Sequence, residues 1–158
     1  MDQDASGSSP RPNAPEIPIP RYRIHWHVFL THFPISFFMA AFGFQVLHLF
    51  VFHICFEVAT NAALIAGTVM LLPTTLTGWQ TWKVAFRGTK NLIFRRKIGY
   101  AGALLAVSFP MTVWRVIFLN AFEEIPFRHW HWAYFAGNAF LIFGALAEGF
   151  FGSRLHHR

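Results

Sequence analysis

Four apolar runs, each framed by tryptophan or tyrosine, constrain this chain more than any other feature: residues 28–53, 56–79, 98–120 and 133–151. A helix rising about 1.5 Å per residue crosses a hydrocarbon core of about 30 Å in roughly 20 residues, so each run is long enough to span a bilayer or nearly so. With 54% hydrophobic and only 13% charged residues, too little polar surface remains to solvate four such helices in water. The expected fold class is therefore all-α, an integral membrane four-helix bundle of up-down connectivity, with the lipid bilayer as its solvent.

Aromatic residues mark where the membrane ends. Trp26, Trp79, Trp82 and Tyr100 fall at one set of span ends and Trp114, Trp130, Trp132 and Tyr134 at the other, as expected of rings that prefer the headgroup layer. Basic residues set the orientation. Of 13 Lys and Arg, all but Arg115 and Arg128 lie on the side holding both termini and the 80–97 loop, which predicts that this side is cytoplasmic. The net charge of +6 thus reads as a topology signal rather than as a nucleic-acid surface, since that loop is too short to form a basic domain. A single cysteine, Cys55, excludes an internal disulfide and a thiolate metal cluster. The first apolar run is too long for a signal-peptide h-region, so it is expected to remain in the mature protein.

Residues 1–22 carry five prolines among small and polar residues and are expected to form a flexible cytoplasmic tail ahead of a transmembrane domain over 23–158. Pro34 is placed in the opening turn of the first helix, while Pro73 and Pro110 fall inside helices and should kink them. Thr74, Thr75, Thr77 and Thr112 are placed to satisfy the freed carbonyls. The pairs Ala59/Ala63, Gly99/Ala103 and Ala145/Gly149 offer small-residue faces for close helix approach. Most of the 20 phenylalanines are accounted for by packing and lipid contact.

Ionisable groups inside a membrane are costly and mark function, and depth arithmetic sorts them into two layers. The outer layer holds His48, His53, Glu57, Arg115, His129 and His131. Two imidazoles from different helices can hold the iron of one haem b, with Arg115 neutralising a propionate. His48 or His53 with His129 or His131 can supply them, and His48 with His131 is the preferred pair. Pairing of Arg115 with Glu57 or Glu123 as a structural ion pair is the equal alternative. The inner layer holds His25, His27, His32, Glu148, His156 and His157. His32 and Glu148 lie at matching depth, where together they can bind a quinone headgroup or accept its proton. His32 and His48 are sixteen residues apart, roughly 160° around the helix, so one haem cannot use both.

The stretch His27-Val-Phe-Leu-Thr-His32-Phe33-Pro34 resembles the opening signature of the domain of unknown function 2231 family of four-span bacterial membrane proteins, in which His-Pro-x-x-x-His-Phe-Pro starts the first span. The Leu72 to Trp79 run ending in Thr-Gly-Trp, the basic Arg95 to Lys97 before the third span and the closing Gly149 to Leu155 segment are similar to that family as well. Val28 stands where the signature has proline, and Ile98, Gly99 and Tyr100 stand where many members carry a histidine. Some members are fused to Rieske iron-sulfur domains or encoded beside redox enzymes, which implies an electron-transfer setting in the bacterial inner membrane.

The functional expectation is a small subunit of a membrane redox complex, not an enzyme on its own, carrying one haem b near the periplasmic face and linked to quinone. The rival is a non-catalytic accessory or assembly subunit packed against a larger complex. A transporter fits less well, because no inverted repeat and little polar lining are visible.

Overall fold

In a computed structural model the chain is described over residues 21–85, 87–88, 92–126 and 129–153, and these form four helices. They are α1 (Arg21–Val51), α2 (Ile54–Ala85), α3 (Leu92–Val113) and α4 (His129–Ser153), with no strand among the described residues. The proline-rich tail before Arg21, Lys90, Arg128 and the terminal Arg154, His156, His157 and Arg158 lie outside the described residues. All four helices are long and apolar enough to cross a membrane, over Trp26–Val51, Ile54–Val84, Arg95–Phe118 and His129–Phe150. These agree with the spans read from hydropathy to within a few residues, except that the second continues past Trp79.

The helices stop where the backbone turns left-handed. Phe52 adopts φ 52°, and its N–H closes α1 on the His48 carbonyl at 2.8 Å, which leaves only Phe52 and His53 before α2 begins. After α2, Arg87 and Gly88 take positive φ. The end of α3 widens into a π-helical turn, Trp114–Phe118, before Asn120 at φ 51° breaks the run. One extra residue in that turn shifts the helix face and brings Arg115 fully into the bundle.

Two expectations about proline are corrected. Pro34 is not in an opening turn, because α1 already starts at Arg21; Pro34 is interior and buried. The threonines do not take the carbonyl that Pro73 frees, which is that of Val69, four residues before it. Thr74 donates to Met70 O, Thr75 to Leu71 O and Thr77 to Pro73 O, each at 2.8 Å, and Thr112 pairs with Thr68 of α2 at 3.0 Å.

Close approach is built at glycine and alanine. A Cβ at Gly67 would lie 2.8 Å from the Phe38 ring, and one at Gly144 would lie 2.9 Å from Leu104, so both positions let large side chains of the facing helix seat against backbone. Ala63 and Ala145 are buried as expected, and Gly149 faces Ile35 of α1, whereas Gly99 has nothing near it. Phe38, Leu64, Leu71, Leu104 and Leu141 form the apolar centre. Trp26, Trp79, Trp130 and Trp132 at the span ends are exposed, whereas Tyr134, expected with them at a span end, is buried in the core.

Candidate functional site

The bundle interior holds two polar regions separated by that apolar centre. At the end where α1 passes into α2, His48 of α1 and His131 of α4 bring their rings to 5.8 Å between centroids, tilted by 39°. Both are buried, at 4% and 1% exposure, while His53 and His129 are exposed. The His48 Nδ1–H donates to the His53 carbonyl at 3.1 Å, because a carbonyl can only accept. In the neutral ring this leaves Nε2 as the lone-pair nitrogen, the arrangement in which metal-bound histidines are commonly held by a backbone carbonyl. His53 thus contributes its carbonyl, while its own ring accepts the Cys55 N–H at 3.2 Å. Of the four outer histidines, these two are the ones that helix rotation turns toward each other.

Beside this pair lies a buried charge couple. Arg115 and Glu57 are both fully buried and approach to 3.8 Å between Nη2 and Oε1. The guanidinium also donates to the Glu123 carbonyl at 2.6 Å and lies 5.7 Å from the centre of the Tyr134 ring. Of the two acidic partners expected for Arg115, Glu57 is engaged through its carboxylate and Glu123 only through its backbone. Long-range hydrogen bonds continue inward: Tyr134 donates to Asn61 Oδ1, Asn61 donates to the Ala121 carbonyl at 3.0 Å, and Asn138 donates to Gln45 Oε1 at 2.8 Å.

Gln45, Asn61 and Asn138 carry no charge, so the cost of burying ionisable groups does not point to them in the sequence. The signal was present, since carboxamides within apolar spans carry the same demand for a buried partner as charges do, at smaller cost.

At the other end, α1, α2, α3 and α4 enclose a cavity of about 410 Å³. Its walls are apolar at Val28, Ile35, Phe38, Leu71, Leu104 and Ala145, and its polar lining is Thr31, His27, His32, Thr74, Lys97 and Glu148. This is the shape and chemistry expected of a small-molecule site, a few polar groups converging on an apolar chamber of some 300–1,000 Å³. His32 and Glu148, placed at matching depth by the sequence, line this common cavity, with no ion pair or hydrogen bond between them among the described residues.

The His32 Nδ1–H donates to the Val28 carbonyl at 2.8 Å, so its neutral form also keeps Nε2 as an acceptor. His27 lies 3.2 Å from Thr77 Oγ1. That hydroxyl spends its one proton on the Pro73 carbonyl, so the His27 Nδ1–H is the donor. Lys97, read from sequence as a topology charge and as part of the basic run before the third span, belongs to the same lining. The His25 side chain, His156 and His157 lie outside what is described.

Among the described residues no group of three or more His, Cys, Asp or Glu side chains is arranged to hold a metal ion, so any metal at the outer pair would rest on two protein ligands and a cofactor of its own. Comparison with protein-family models, with curated proteins and with solved structures finds no match to this chain.

Proposed function

We propose that the chain is a multi-pass subunit of a redox complex in the bacterial inner membrane, with its helices running up-down and both termini cytoplasmic, and that its inner cavity binds a quinone headgroup. The observation that carries this reading is the cavity itself: one apolar chamber, near one end of the apolar spans, on which two imidazoles, an ammonium and a carboxyl converge. An amphipathic ring carrying two carbonyls needs such a mixture. Lys97 can donate to a carbonyl oxygen of the bound ring, and the His32 Nε2 lone pair and the Glu148 carboxyl can accept hydrogen bonds from its hydroxyls when it is reduced.

The outer pair supports a second element of the same reading. His48 and His131 come from different helices, are buried, and in His48 the ligating nitrogen is already set by its backbone bond. They are the residues that would hold one haem b, which when bound would supply one-electron carriage. Arg115, whose Nη2 is engaged by the Glu123 carbonyl and neighbours Glu57, keeps its Nε and Nη1 for a propionate. The resemblance to a family associated with redox partners supports the same setting.

The test is direct. The purified protein is expected to bind a short-chain ubiquinone analogue, measured by quenching of tryptophan fluorescence, and binding should fall in both His32→Ala and Glu148→Ala. A reduced-minus-oxidised spectrum should show a haem b band that His48→Ala and His131→Ala abolish. A folded, colourless protein whose quinone binding is untouched by either inner substitution would overturn this reading in favour of an accessory subunit.

A further inference from the structure

The inner cavity is polar mainly in one sense, that of accepting hydrogen bonds. Among the described residues six polar side chains line it: His27, Thr31 and His32 of α1, Thr74 of α2, Lys97 of α3 and Glu148 of α4. Four of these carry a single hydrogen when the imidazoles are neutral, and each of the four gives it to the helices. The Thr31 hydroxyl donates to the Val28 carbonyl at 2.6 Å, and the His32 Nδ1–H donates to the same oxygen at 2.8 Å. Pro34 has no N–H, which frees the Leu30 carbonyl four residues before it. The Thr74 hydroxyl is shared between that oxygen at 3.1 Å and the Met70 carbonyl at 2.8 Å. The His27 Nδ1–H is held by Thr77 Oγ1 at 3.2 Å.

Two contacts on α2 fix His27 in this state. Thr77 cannot donate back to the ring, because its own hydrogen lies between the Pro73 and Thr74 carbonyls, at 2.8 and 3.0 Å. The ring rests against the helix backbone at Gly78, where a Cβ would stand 2.9 Å from Cε1, closer than side chains pack. Gly78 is therefore a positioning residue for His27. What these bonds leave for a ligand is lone pairs, on Nε2 of His27 and of His32 and on the hydroxyl oxygens of Thr31 and Thr74. Glu148 adds carboxyl oxygens, and of the six groups Lys97 alone has hydrogens and no lone pair. Acceptors taken out of water and left without donors are costly, so the ligand that fits such a lining brings the hydrogens itself.

We propose that the cavity selects the reduced form of its ring, a quinol whose two hydroxyls donate to His27 Nε2 and His32 Nε2, over the quinone, which has nearly the same shape but offers acceptors at both ends. The inference rests on the quinone reading of the cavity and narrows it. His27 and His32 are five residues apart on α1, about 7.5 Å along its axis, so each serves a different hydroxyl. Lys97 donates to a ring oxygen in either state. The selectivity is a difference in binding and involves no transfer of electrons or protons. Because the reduced form is held more tightly, the bound couple has a higher midpoint potential than the free one, by about 30 mV for each tenfold in affinity at two electrons.

Isothermal titration of the purified protein in detergent micelles tests this, with a short-chain ubiquinone analogue and, under anaerobic reducing conditions, with its quinol. The quinol is expected to bind at least about tenfold more tightly, as two net hydrogen bonds require. His27→Phe and His32→Phe should each cut that ratio by about threefold to tenfold, the effect of one hydrogen bond. Gly78→Ala, which drives the His27 ring off Thr77, should cut it as His27→Phe does. The comparison of the two forms on the unaltered protein needs no variant, so a substitution that fails to fold leaves the test standing. Equal affinities, or tighter binding of the quinone, would overturn the proposal and leave the cavity a quinone site. A protein that binds neither form would overturn that reading and this one with it. A ratio unchanged in both histidine variants would overturn the assignment of the acceptors.

Discussion

Removing one member of the Glu57–Arg115 couple should cost far more than removing both. The two charged atoms are 3.8 Å apart and fully buried. At an effective dielectric constant of about 20 their attraction is about 4 kcal/mol. Arg115→Met strands the Glu57 carboxylate without its countercharge and leaves the Glu123 carbonyl without its donor, so a loss of about 3–5 kcal/mol is expected. Glu57→Gln strands the guanidinium instead and should cost a similar amount. The double variant should fall short of the summed losses by about 2–3 kcal/mol, because each substitution removes the charge that makes the other harmful. The coupling is placed below the Coulomb figure because the pair is not hydrogen-bonded and each partner has other neighbours. The assay is denaturant unfolding in detergent micelles, followed by tryptophan fluorescence. Single-variant effects that add to within about 0.5 kcal/mol would refute the reasoning, as they would if Glu57 carried a proton, and so no charge, in the folded protein at neutral pH.

Other substitutions probe the packing and the carboxamides. Gly67→Val places a Cβ 2.8 Å from the Phe38 ring, and the overpacking should lower stability by about 1–3 kcal/mol in the same unfolding assay, whereas Gly43→Ala, with open space around it, should be nearly silent. Gln45→Leu alone leaves the Asn138 amide without its acceptor and should cost about 1–3 kcal/mol, while Gln45→Leu with Asn138→Leu should recover most of that loss. Tyr134→Phe removes the buried hydroxyl that holds Asn61 and should cost about 1 kcal/mol, read as a lower thermal midpoint.

What the sequence determined by itself is everything that depends on local composition. Hydropathy over a window of some 20 residues is a one-dimensional property, so the four spans were legible, as were the exposed tryptophans at their ends. Depth is also one-dimensional: counting residues from each span end put His48, Arg115 and His131 in one layer and His32 and Glu148 in the other, and the structure assembles them so. Rotation about the helix axis is not a local property. It is set by which small residues let which faces meet, as at Gly67 against Phe38 and Gly144 against Leu104.

Only the tertiary structure therefore decided that His48 and His131 face inward while His53 and His129 face out, that Tyr134 belongs to the core, and that Lys97 and His27 join His32 at one cavity. The π-helical turn was beyond reach of the sequence for the same reason. Its extra residue is stabilised by the partners that Arg115 finds on α2 and in the loop after α3, contacts that exist only once the four helices have packed.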